Sequence, residues 1–598
     1  MQRALSTTVR SMRFSSSVAT ACLALAPCST AWQLARPATF SSRLFASAVV
    51  AEEEAKKSTA IADGVIQTIS GNFYAVQVQD ETSESTASGD LLGRAVTIGG
   101  ADGVVVAHRP PLAYVYSEDA SDSTNSVAKV MSQLAEVSID PSARLFDALG
   151  RSSSAPSAND RRRAIFAPIP QVKDIALINH PVLTGITMMD ALAPLGRGQN
   201  MLWIGSDAAD LRRLATDLLQ TQARRGTKCI YAALEDDSLD PFSPELLDEI
   251  QLVRPKDKTG DLTSRSAQAV TAAATACAIG ETYALNGEHA LVVVDTIDRH
   301  KQLWDATTRV LVDIFGVDSV VASDRSGGAS SEMRAFYSSL IQRAGQYKKG
   351  GGSLTLVMLT HVPPVGDDED ETTREFSLDD FAGANDKIMA RLKMLVDKKI
   401  PLTAKTLRKI EIPVPSASEG ARRLVLQHVD DLISMSDGQI WFDDTVSQKP
   451  PMDPQRSITR VGIGADTESR ADAPALRKIV EGVRLDLAQA ASMDGAEQTN
   501  ASRKQIARRE ALLLAMYQES GSGGRRLSES CVLLLAASEG KLDGVQAGSD
   551  EGKELTEKLL SYMNESIPED MQSIDSTFDM DADTRGRLKK SIDDFFTQ

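Results

Sequence analysis

The segment Met201-Leu-Trp-Ile-Gly205-Ser-Asp-Ala-Ala-Asp210-Leu-Arg212 joins a short apolar run to a polar turn, and residues with helical spacing follow it. Further apolar runs follow along the chain, with helical stretches between them: Cys229–Leu234, Ala290–Val294, Leu354–Leu359 and Leu432–Phe442. Apolar runs without polar alternation favour strands that are covered on both faces. Because strands and helices alternate, residues 165–465 predict an α/β domain with a parallel sheet.

The regions on either side of this domain have different patterns. Residues 60–150 hold short alternating apolar runs separated by Gly, Asp and Pro, which predicts a small β-barrel or sandwich. From residue 467 to 598, apolar residues recur every three or four positions, which predicts a C-terminal helical bundle. Residues 363–428 open with two prolines and an acidic run and interrupt the α/β pattern, so we expect a surface insertion there.

The first 51 residues have a composition of their own. They contain arginine, serine and alanine but no Asp, Glu or Lys, which predicts an organelle targeting peptide. Within them, an apolar run at Val18–Pro27, small residues and then Trp32 resemble the signal-plus-transit address of algal secondary plastids. A plastid is therefore favoured, a mitochondrion stays open, and the remaining alternative is a native disordered tail.

Overall composition excludes several protein classes. Hydrophobic residues make up 42% and charged residues 25% of the 598 residues, which is ordinary for globular proteins. The net charge of −17 disfavours a general nucleic-acid binder. The chain has no run of 18 consecutive apolar residues, so we expect no membrane span. Five cysteines are too few for a disulfide scaffold, and we expect the mature ones to be buried thiols.

The turn after the strand Met201–Ile204 is where the phosphate-binding pattern G-x-x-x-x-G-K-[ST] would lie. Gly205 fits its first position, but Asp210, Leu211 and Arg212 replace the second Gly, the Lys and the hydroxyl residue. The chain thereby lacks a flexible backbone position, an ammonium for the phosphates and a magnesium ligand. Losing two or three charged hydrogen bonds should cost about 3–6 kcal/mol, or roughly two to four decades of affinity. We therefore favour a plain strand–turn–helix without a ligand.

Carboxylates follow two other strands. Ala290–Val294 leads into Asp295, which is typical of the Walker B acid that orients Mg²⁺, although many buried strands end in Asp. Glu235, Asp236 and Asp237 follow another strand, where they predict either a base or metal site or, as we favour, a solvated loop. Catalytic Ser-His-Asp spacing, H-E-x-x-H and CxxC patterns do not occur in the sequence.

Several longer segments resemble one family. Thr184-Gly-Ile-Thr-Met-Met-Asp190-Ala-Leu-Ala-Pro-Leu-Gly196-Arg-Gly-Gln199 resembles a signature of rotary ATP synthase catalytic-head subunits, with the α subunit as the closer match. Further segments resemble that family in the same order along the chain: Leu145–Gly150, Arg161–Arg163, Gly350–Thr355, Ile433–Ile440, Ser457–Gly462 and Leu485–Gln489. The resemblance implies an N-terminal β-barrel, a central RecA-like P-loop NTPase-type domain and a C-terminal α-helical bundle.

The resemblance also implies roles for particular residues. Arg460 matches the arginine that α subunits project into the active site of a neighbouring β subunit, where a guanidinium stabilises the transferring phosphoryl group. Asp236 stands where α subunits have Gln and β subunits have the catalytic Glu. Matches to the subunit's own nucleotide site are Gln199, Gly205, Asp295 (which would also bind Mg²⁺) and Gln518.

On this resemblance the chain is expected to be a non-catalytic α-type subunit of an organellar proton-driven ATP synthase. Its partners would be β subunits and the central stalk, and it would associate with a membrane only through the complex. That membrane would be the thylakoid on its stromal side or the mitochondrial inner membrane on its matrix side. The altered turn gives little support for ATP, ADP or Mg²⁺ as cofactors. Alternatives are a pseudo-subunit that assembles or regulates the head and an independent ATPase, which the missing Lys disfavours.

Overall fold

A computed structural model describes most of the chain beyond residue 59, and the predicted targeting peptide, residues 1–51, lies outside the described residues. The described ranges are 60–79, 91–120, 124–152, 161–178, 180–256, 260–318, 320–321, 328–363, 386–397, 401–403, 406–407, 417–443, 448–460 and 500–597, with residues 479, 483 and 487.

The N-terminal region is a closed antiparallel barrel, so the barrel alternative is correct and the sandwich is not. Its strands are β1 (Ala60–Ser70), β2 (Phe73–Gln79), β3 (Arg94–Ile98), β4 (Ala101–Arg109), β5 (Leu112–Tyr116) and β6 (Val127–Leu134). Strand β6 pairs with both β1 and β3 and thereby closes the barrel. In β6, Lys129, Ser132 and Gln133 dilute the apolar pattern, so this strand is not apparent from the sequence alone.

The central region contains a mainly parallel sheet with the order β20-β19-β13-β18-β16-β14-β15-β8. These strands are β8 (Leu145–Phe146), β13 (Asn200–Gly205), β14 (Lys228–Ala233), β15 (Gln251–Val253), β16 (His289–Asp295), β18 (Ser353–His361), β19 (Gly438–Trp441) and β20 (Ile458–Thr459). Shorter strands are β7 (Glu136–Ile139), β9 (Arg161–Ala164), β10 (Ile175–Ala176), β11 (Pro181–Val182), β12 (Leu195–Gly196) and β17 (Gly345–Tyr347). The multidomain fold class is thus confirmed.

Helices cover the sheet and form the C-terminal bundle. They are α1 (Thr187–Leu192), α2 (Ala208–Arg224), α3 (Pro244–Glu249), α4 (Leu262–Leu285), α5 (Asp298–Phe315), α6 (Gly328–Ile341), α7 (Asp386–Asp397), α8 (Ala417–Met435), α9 (Asn500–Met516), α10 (Leu527–Ser538), α11 (Asp550–Ser566), α12 (Pro568–Thr577) and α13 (Ala582–Thr597). Part of the predicted helix Leu476–Ala491 lies outside the described residues, but Ile479, Val483 and Leu487 are buried.

One predicted strand was wrong in part. The run Leu432–Phe442 contains the end of helix α8 and then strand β19, which begins only at Gly438. Val429 and Leu432 are both buried on α8, so their three-residue spacing belongs to a helix. The predicted insertion 363–428 therefore ends inside a helix that packs into the core, while its acidic run lies outside the described residues.

Helix α4 is buried along most of its length between the sheet and the barrel. Its residues are mainly alanine with serine, threonine and glycine, which permits close approach of neighbours on every side. A Cβ added at Gly280 would lie 2.6 Å from Leu354 Cδ1 in β18. The buried Glu281 accepts hydrogen bonds from Arg343 Nε (2.7 Å) and Arg163 Nε (2.5 Å), which compensates its charge.

Two buried histidines lie behind the carboxyl edge of the sheet. The ring of Tyr337 on α6 packs against His300 on α5 and His428 on α8, with ring centroids 6.2 and 5.4 Å apart. His300 Nδ1 and both ring nitrogens of His428 have no hydrogen-bond partner among the described residues. Burial lowers the pKa of His300 to about 3, with a smaller contribution from His428. Burial and the nearby Lys301 lower the pKa of His428 to about 4.

Both histidines should make the fold sensitive to acid. Because their folded-state pKa values lie below the ordinary value near 6.5, only the unfolded chain binds protons just below that pH. As the pH falls from roughly 6 to 4.5, each histidine should lower the free energy of unfolding by about 1.4 kcal/mol per pH unit. His300→Phe should remove the contribution of one histidine, so the free energy of unfolding should fall less steeply with decreasing pH. Urea denaturation at several pH values across this range measures that slope. The control is His180→Gln, which removes an exposed imidazole, and an unchanged slope in His300→Phe would contradict the account.

Candidate functional site

A cleft of about 290 Å³ opens at the carboxyl ends of strands β13, β16 and β18. Ligands of parallel α/β sheets bind outside this edge, because the loops that leave it converge there. Charged side chains dominate its lining: Arg212, Glu235, Asp237, Asp295, Asp298 and Arg299.

The turn between β13 and α2 is closed by its own side chains. Asp207 caps helix α2, and its Oδ1 accepts hydrogen bonds from the backbone N–H of Ala209 (2.8 Å) and of Asp210 (3.1 Å). In phosphate loops such amides, at the positive end of the helix dipole, bind the ligand. Here the Asp207 carboxylate, instead of a ligand, accepts hydrogen bonds from two of these amides.

Leu211 occupies the space above the start of the turn. An added Cβ on Gly205 would lie 3.1–3.3 Å from side-chain carbons of Leu211, which shows how closely this side chain packs on the glycine. The Gly205 carbonyl accepts a hydrogen bond from Val362 N, and the Ser206 carbonyl lies 2.6 Å from His361 Nε2. The turn is therefore held against the end of β18.

Arg212 extends from α2 into the cleft and bridges two carboxylates. Its Nε lies 2.9 Å from Asp295 Oδ2 and its Nη1 lies 2.6 Å from Asp237 Oδ2. Asp295 is 2% exposed and Arg212 is 4% exposed, so this ion pair is shielded from water. Burial opposes the charge of Arg212, but Asp295 and Asp237 outweigh it and raise the pKa of the guanidinium. The hydrogen bond from Arg212 also lowers the pKa of Asp237.

A second ion pair lies beside the first. Arg299, in the first turn of α5, forms a two-pronged pair with the carboxylate of Glu235, with its Nε 2.5 Å from Glu235 Oε1. Arg299 Nη1 also donates to Gln302 at 2.8 Å. Glu235, rather than Asp236, thus faces the cleft; the Asp236 side chain is 60% exposed and lies 3.7 Å from Arg265.

Asp298 is the fourth acid of the cleft, after Glu235, Asp237 and Asp295. Burial raises its pKa, while hydrogen bonds from Thr360, His361 N and Thr296 act in the opposite direction. The Thr360 hydroxyl donates to Asp298 Oδ1 at 2.6 Å. Asp298 thereby joins the start of α5 to the end of β18.

The side chains present do not fit a magnesium ion or a nucleoside triphosphate. A metal ion on Asp295 would have to displace the Arg212 guanidinium, and the hydroxyl ligand of the loop is absent. A triphosphate would meet Asp207 on the helix amides and Leu211 in place of an ammonium. Gly205 and Asp295 both lie at the cleft, but the contacts that they make are within the chain. Their assignment to nucleotide, and of Asp295 to metal, stays a prediction.

Gln199 and Gln518 were also predicted to contact nucleotide, and both lie elsewhere with their amides in use. Gln199 precedes β13, at the edge of the sheet opposite to the cleft, and its amide bonds to Gly196 N and Thr459 Oγ1. Gln518 Nε2 donates to the Gly185 carbonyl at 2.9 Å, which ties the C-terminal helices to the segment before α1. The match of each residue to a family motif did not predict which groups its side-chain amide contacts.

Arg460 lies next to strand β20, at the edge of the sheet. Its backbone N–H donates to the Asp437 carbonyl, just before β19 begins, whereas the cleft lies at the other end of the parallel strands. Five residue steps along β13 separate these levels by roughly 17 Å. The exposed Arg460 guanidinium donates from Nη1 to the carbonyls of Ile433 (2.6 Å) and Ser436, at the end of α8. Arg460 therefore faces away from its own cleft.

Sequence reasoning missed Arg299, Asp298 and His361 as members of the cleft. A signal was present, since Asp298 and Arg299 begin the helix that follows the Asp295 strand, and His361 comes two residues after the predicted strand Leu354–Leu359 and ends β18. Residues that leave parallel strands at the same edge are brought together by the topology.

Comparison with known proteins addresses the ancestry of this arrangement. The model of the ATP synthase alpha/beta family, nucleotide-binding domain, matches residues 185–376, which include the turn, both ion pairs and the strand of Asp295. Curated relatives cover most of the chain. The central part of the chain is therefore similar to the nucleotide-binding domain of the ATP synthase alpha/beta family, and its relatives extend that similarity to the flanking regions.

The relatives within this family are named as alpha subunits. ATP synthase subunit alpha 1 of Methylococcus capsulatus is 24% identical over 491 residues, covering 79% of this chain and 83% of that protein. ATP synthase subunit alpha of Shewanella loihica is 24% identical over 472 residues, covering 76% and 78%. The corresponding protein of Hydrogenovibrio crunogenus is 24% identical over 479 residues, covering 77% and 81%. Among the residues that the structure describes, no helix is long and apolar enough to cross a bilayer.

The cap on α2 can be tested through stability. Asp207→Ala leaves two helix amides without their acceptor, so it should lower the free energy of unfolding by about 1 kcal/mol. Chemical denaturation measures the difference, and Asp236→Ala, in an exposed position nearby, should change it by less than about 0.5 kcal/mol. Equal stabilities of Asp207→Ala and the unsubstituted protein would show that this carboxylate does not satisfy the amides.

Proposed function

We propose that this ATP synthase alpha-type chain is a non-catalytic subunit of an organellar proton-driven enzyme. It packs between β subunits around a central stalk and supplies Arg460 to the active site of one neighbour. Its own cleft binds no nucleotide. The acid-free residues 1–51 direct it to a plastid, where the enzyme is bound to the thylakoid on the stromal side, or alternatively to the matrix side of the mitochondrial inner membrane.

The position of Arg460 is the observation that carries this proposal. An arginine that served its own chain would lie at the carboxyl edge of the sheet, whereas Arg460 lies beyond the amino end of β19. Two carbonyl oxygens at the end of α8 fix its Nη1, and the positive charge suits the negative end of that helix dipole. This anchoring holds an exposed guanidinium at the surface of the chain, which supports a role towards a neighbouring molecule.

The surface around Arg460 is suited to contact with another protein. Ile458 precedes Arg460 by two residues on the edge strand β20 and is 41% exposed. The Arg456 guanidinium lies 3.4 Å from the ring centroid of Trp441 in β19. Arginine beside aromatic and aliphatic side chains is enriched at protein interfaces.

The charges within the cleft support a subunit that does not turn over nucleotide. Arg212 neutralises the carboxylate that would orient a metal ion, and Arg299 holds Glu235 by both oxygens. A base that is paired on both oxygens is poorly placed to activate water. The same contacts argue against an independent ATPase.

A second candidate function is assembly or regulation of the head by a pseudo-subunit. The cleft is occupied by the chain's own ion pairs, and this favours the second candidate as well, since an assembly factor needs no ligand of its own. Stoichiometry separates the two. If the chain is a subunit, the head purified from the organelle should contain it in the amount expected for an α subunit. An assembly factor would be found only on partial complexes.

Arg460 can be tested within that complex. In a head assembled with Arg460→Ala, ATP hydrolysis should fall by about 10³-fold or more, because the neighbouring site loses a charge at its transition state. Assembly should persist, because the side chain's own contacts are two surface hydrogen bonds. Arg456→Ala, four residues earlier on the same surface, is the matched control and should retain most of the activity. Full activity with Arg460→Ala would contradict the assigned role.

A further inference from the structure

We propose that Arg212 is a resident cation: it holds the cleft in one arrangement as a bound divalent metal would, and it excludes such a metal. This inference rests on the proposed function, in which the cleft takes no nucleotide. It concerns what the cleft does instead.

The geometry of Arg212 is that of a bridge between separate elements. The residue belongs to α2, while Asp295 ends β16 and Asp237 lies in the loop after β14. Its Nε and Nη1 contact one carboxylate each, at 2.9 and 2.6 Å. A single guanidinium thereby connects three elements that are distant in sequence and are brought together by the sheet.

The chemistry of the guanidinium suits this task. It stays charged under all physiological conditions, and its planar fork presents donors in several fixed directions. Buried carboxylates need a compensating cation, and Asp295 is nearly inaccessible to solvent. A divalent ion would have to enter beside a fixed positive charge and find its carboxylate ligands already hydrogen-bonded.

Arg299 extends the same arrangement. It pairs with Glu235 in the loop after β14, and Asp298 beside it binds Thr360 at the end of β18. Helices α2 and α5, strands β16 and β18 and the loop after β14 are thus joined by side chains of the protein itself. The cleft should therefore keep its shape without a bound ligand.

The test is thermal unfolding of the full chain with and without millimolar MgCl₂. The unsubstituted protein should show no change in Tm on addition of Mg²⁺. Arg212→Ala should unfold several degrees lower in chelator, because it leaves a buried carboxylate unpaired. Mg²⁺ should then restore a large part of that loss, since the vacated space adjoins Asp295 and Asp237. Rescue by a metal ion is a result that a merely structural arginine would not give.

Two further variants keep the test decisive. Arg213→Ala removes the next arginine of α2, which pairs with Asp210 at 3.2 Å on the surface, and it should be insensitive to Mg²⁺. Arg212→Lys keeps a cation on the same helix, so it should retain more of the Tm than Arg212→Ala and remain insensitive to Mg²⁺, even if the alanine variant does not fold.

The outcomes that overturn the proposal are separate from those for the proposed function. Stabilisation of the unsubstituted protein by Mg²⁺, or Arg212→Ala that folds but shows no response to the ion, would refute a resident cation. Neither result bears on whether the chain is present in the head, which purification of the complex decides.

Discussion

A carboxylate at the end of the central strand β16 must be neutralised in the interior of the protein. Asp295 is buried at the point where four parallel strands deliver their loops, and an isolated charge there would cost several kcal/mol. In this chain the compensating charge comes from Arg212, one turn into the helix that follows β13. The capped turn and the ion pair of Arg299 with Glu235 lie beside it in the described part of the chain, and together these contacts occupy the cleft with side chains of the protein itself.

The two ends of the parallel sheet have separate roles in this account. The carboxyl end holds the self-filled cleft, and the amino end holds Arg460 with Gln199, Asp437 and the end of α8. Because strand β13 separates them by roughly 17 Å, changes at one end need not disturb the other. A chain can therefore lose its own ligand site and still present a guanidinium to a neighbour. The proposed role of Arg460 towards a neighbouring subunit is therefore compatible with the altered turn at the other end of the sheet.

Periodicity and apolar runs were sufficient to predict the three regions and most strands, since these depend on local patterns of burial. The departure of the turn after β13 from the phosphate-loop pattern was also visible, because it needs only residue types in a known context. What fills the cleft was not predictable: Arg212 and Asp295 are 83 positions apart and meet only through the sheet. Gln199 and Gln518 show a second limit of sequence reasoning. Each matches a family motif, but the match does not determine which groups the side-chain amide contacts. The role of Arg460 stays a prediction, because it concerns a neighbour's active site.

The most direct measurement is calorimetric titration of the full-length chain with Mg·ATP. If Asp207, Leu211 and Arg212 fill the site as described, no heat of binding should appear until nucleotide reaches millimolar concentrations, consistent with the roughly two to four decades of lost affinity. Saturable binding at sub-micromolar Mg·ATP would contradict the account, because it would require the ion pair of Arg212 and Asp295 to give way to a ligand.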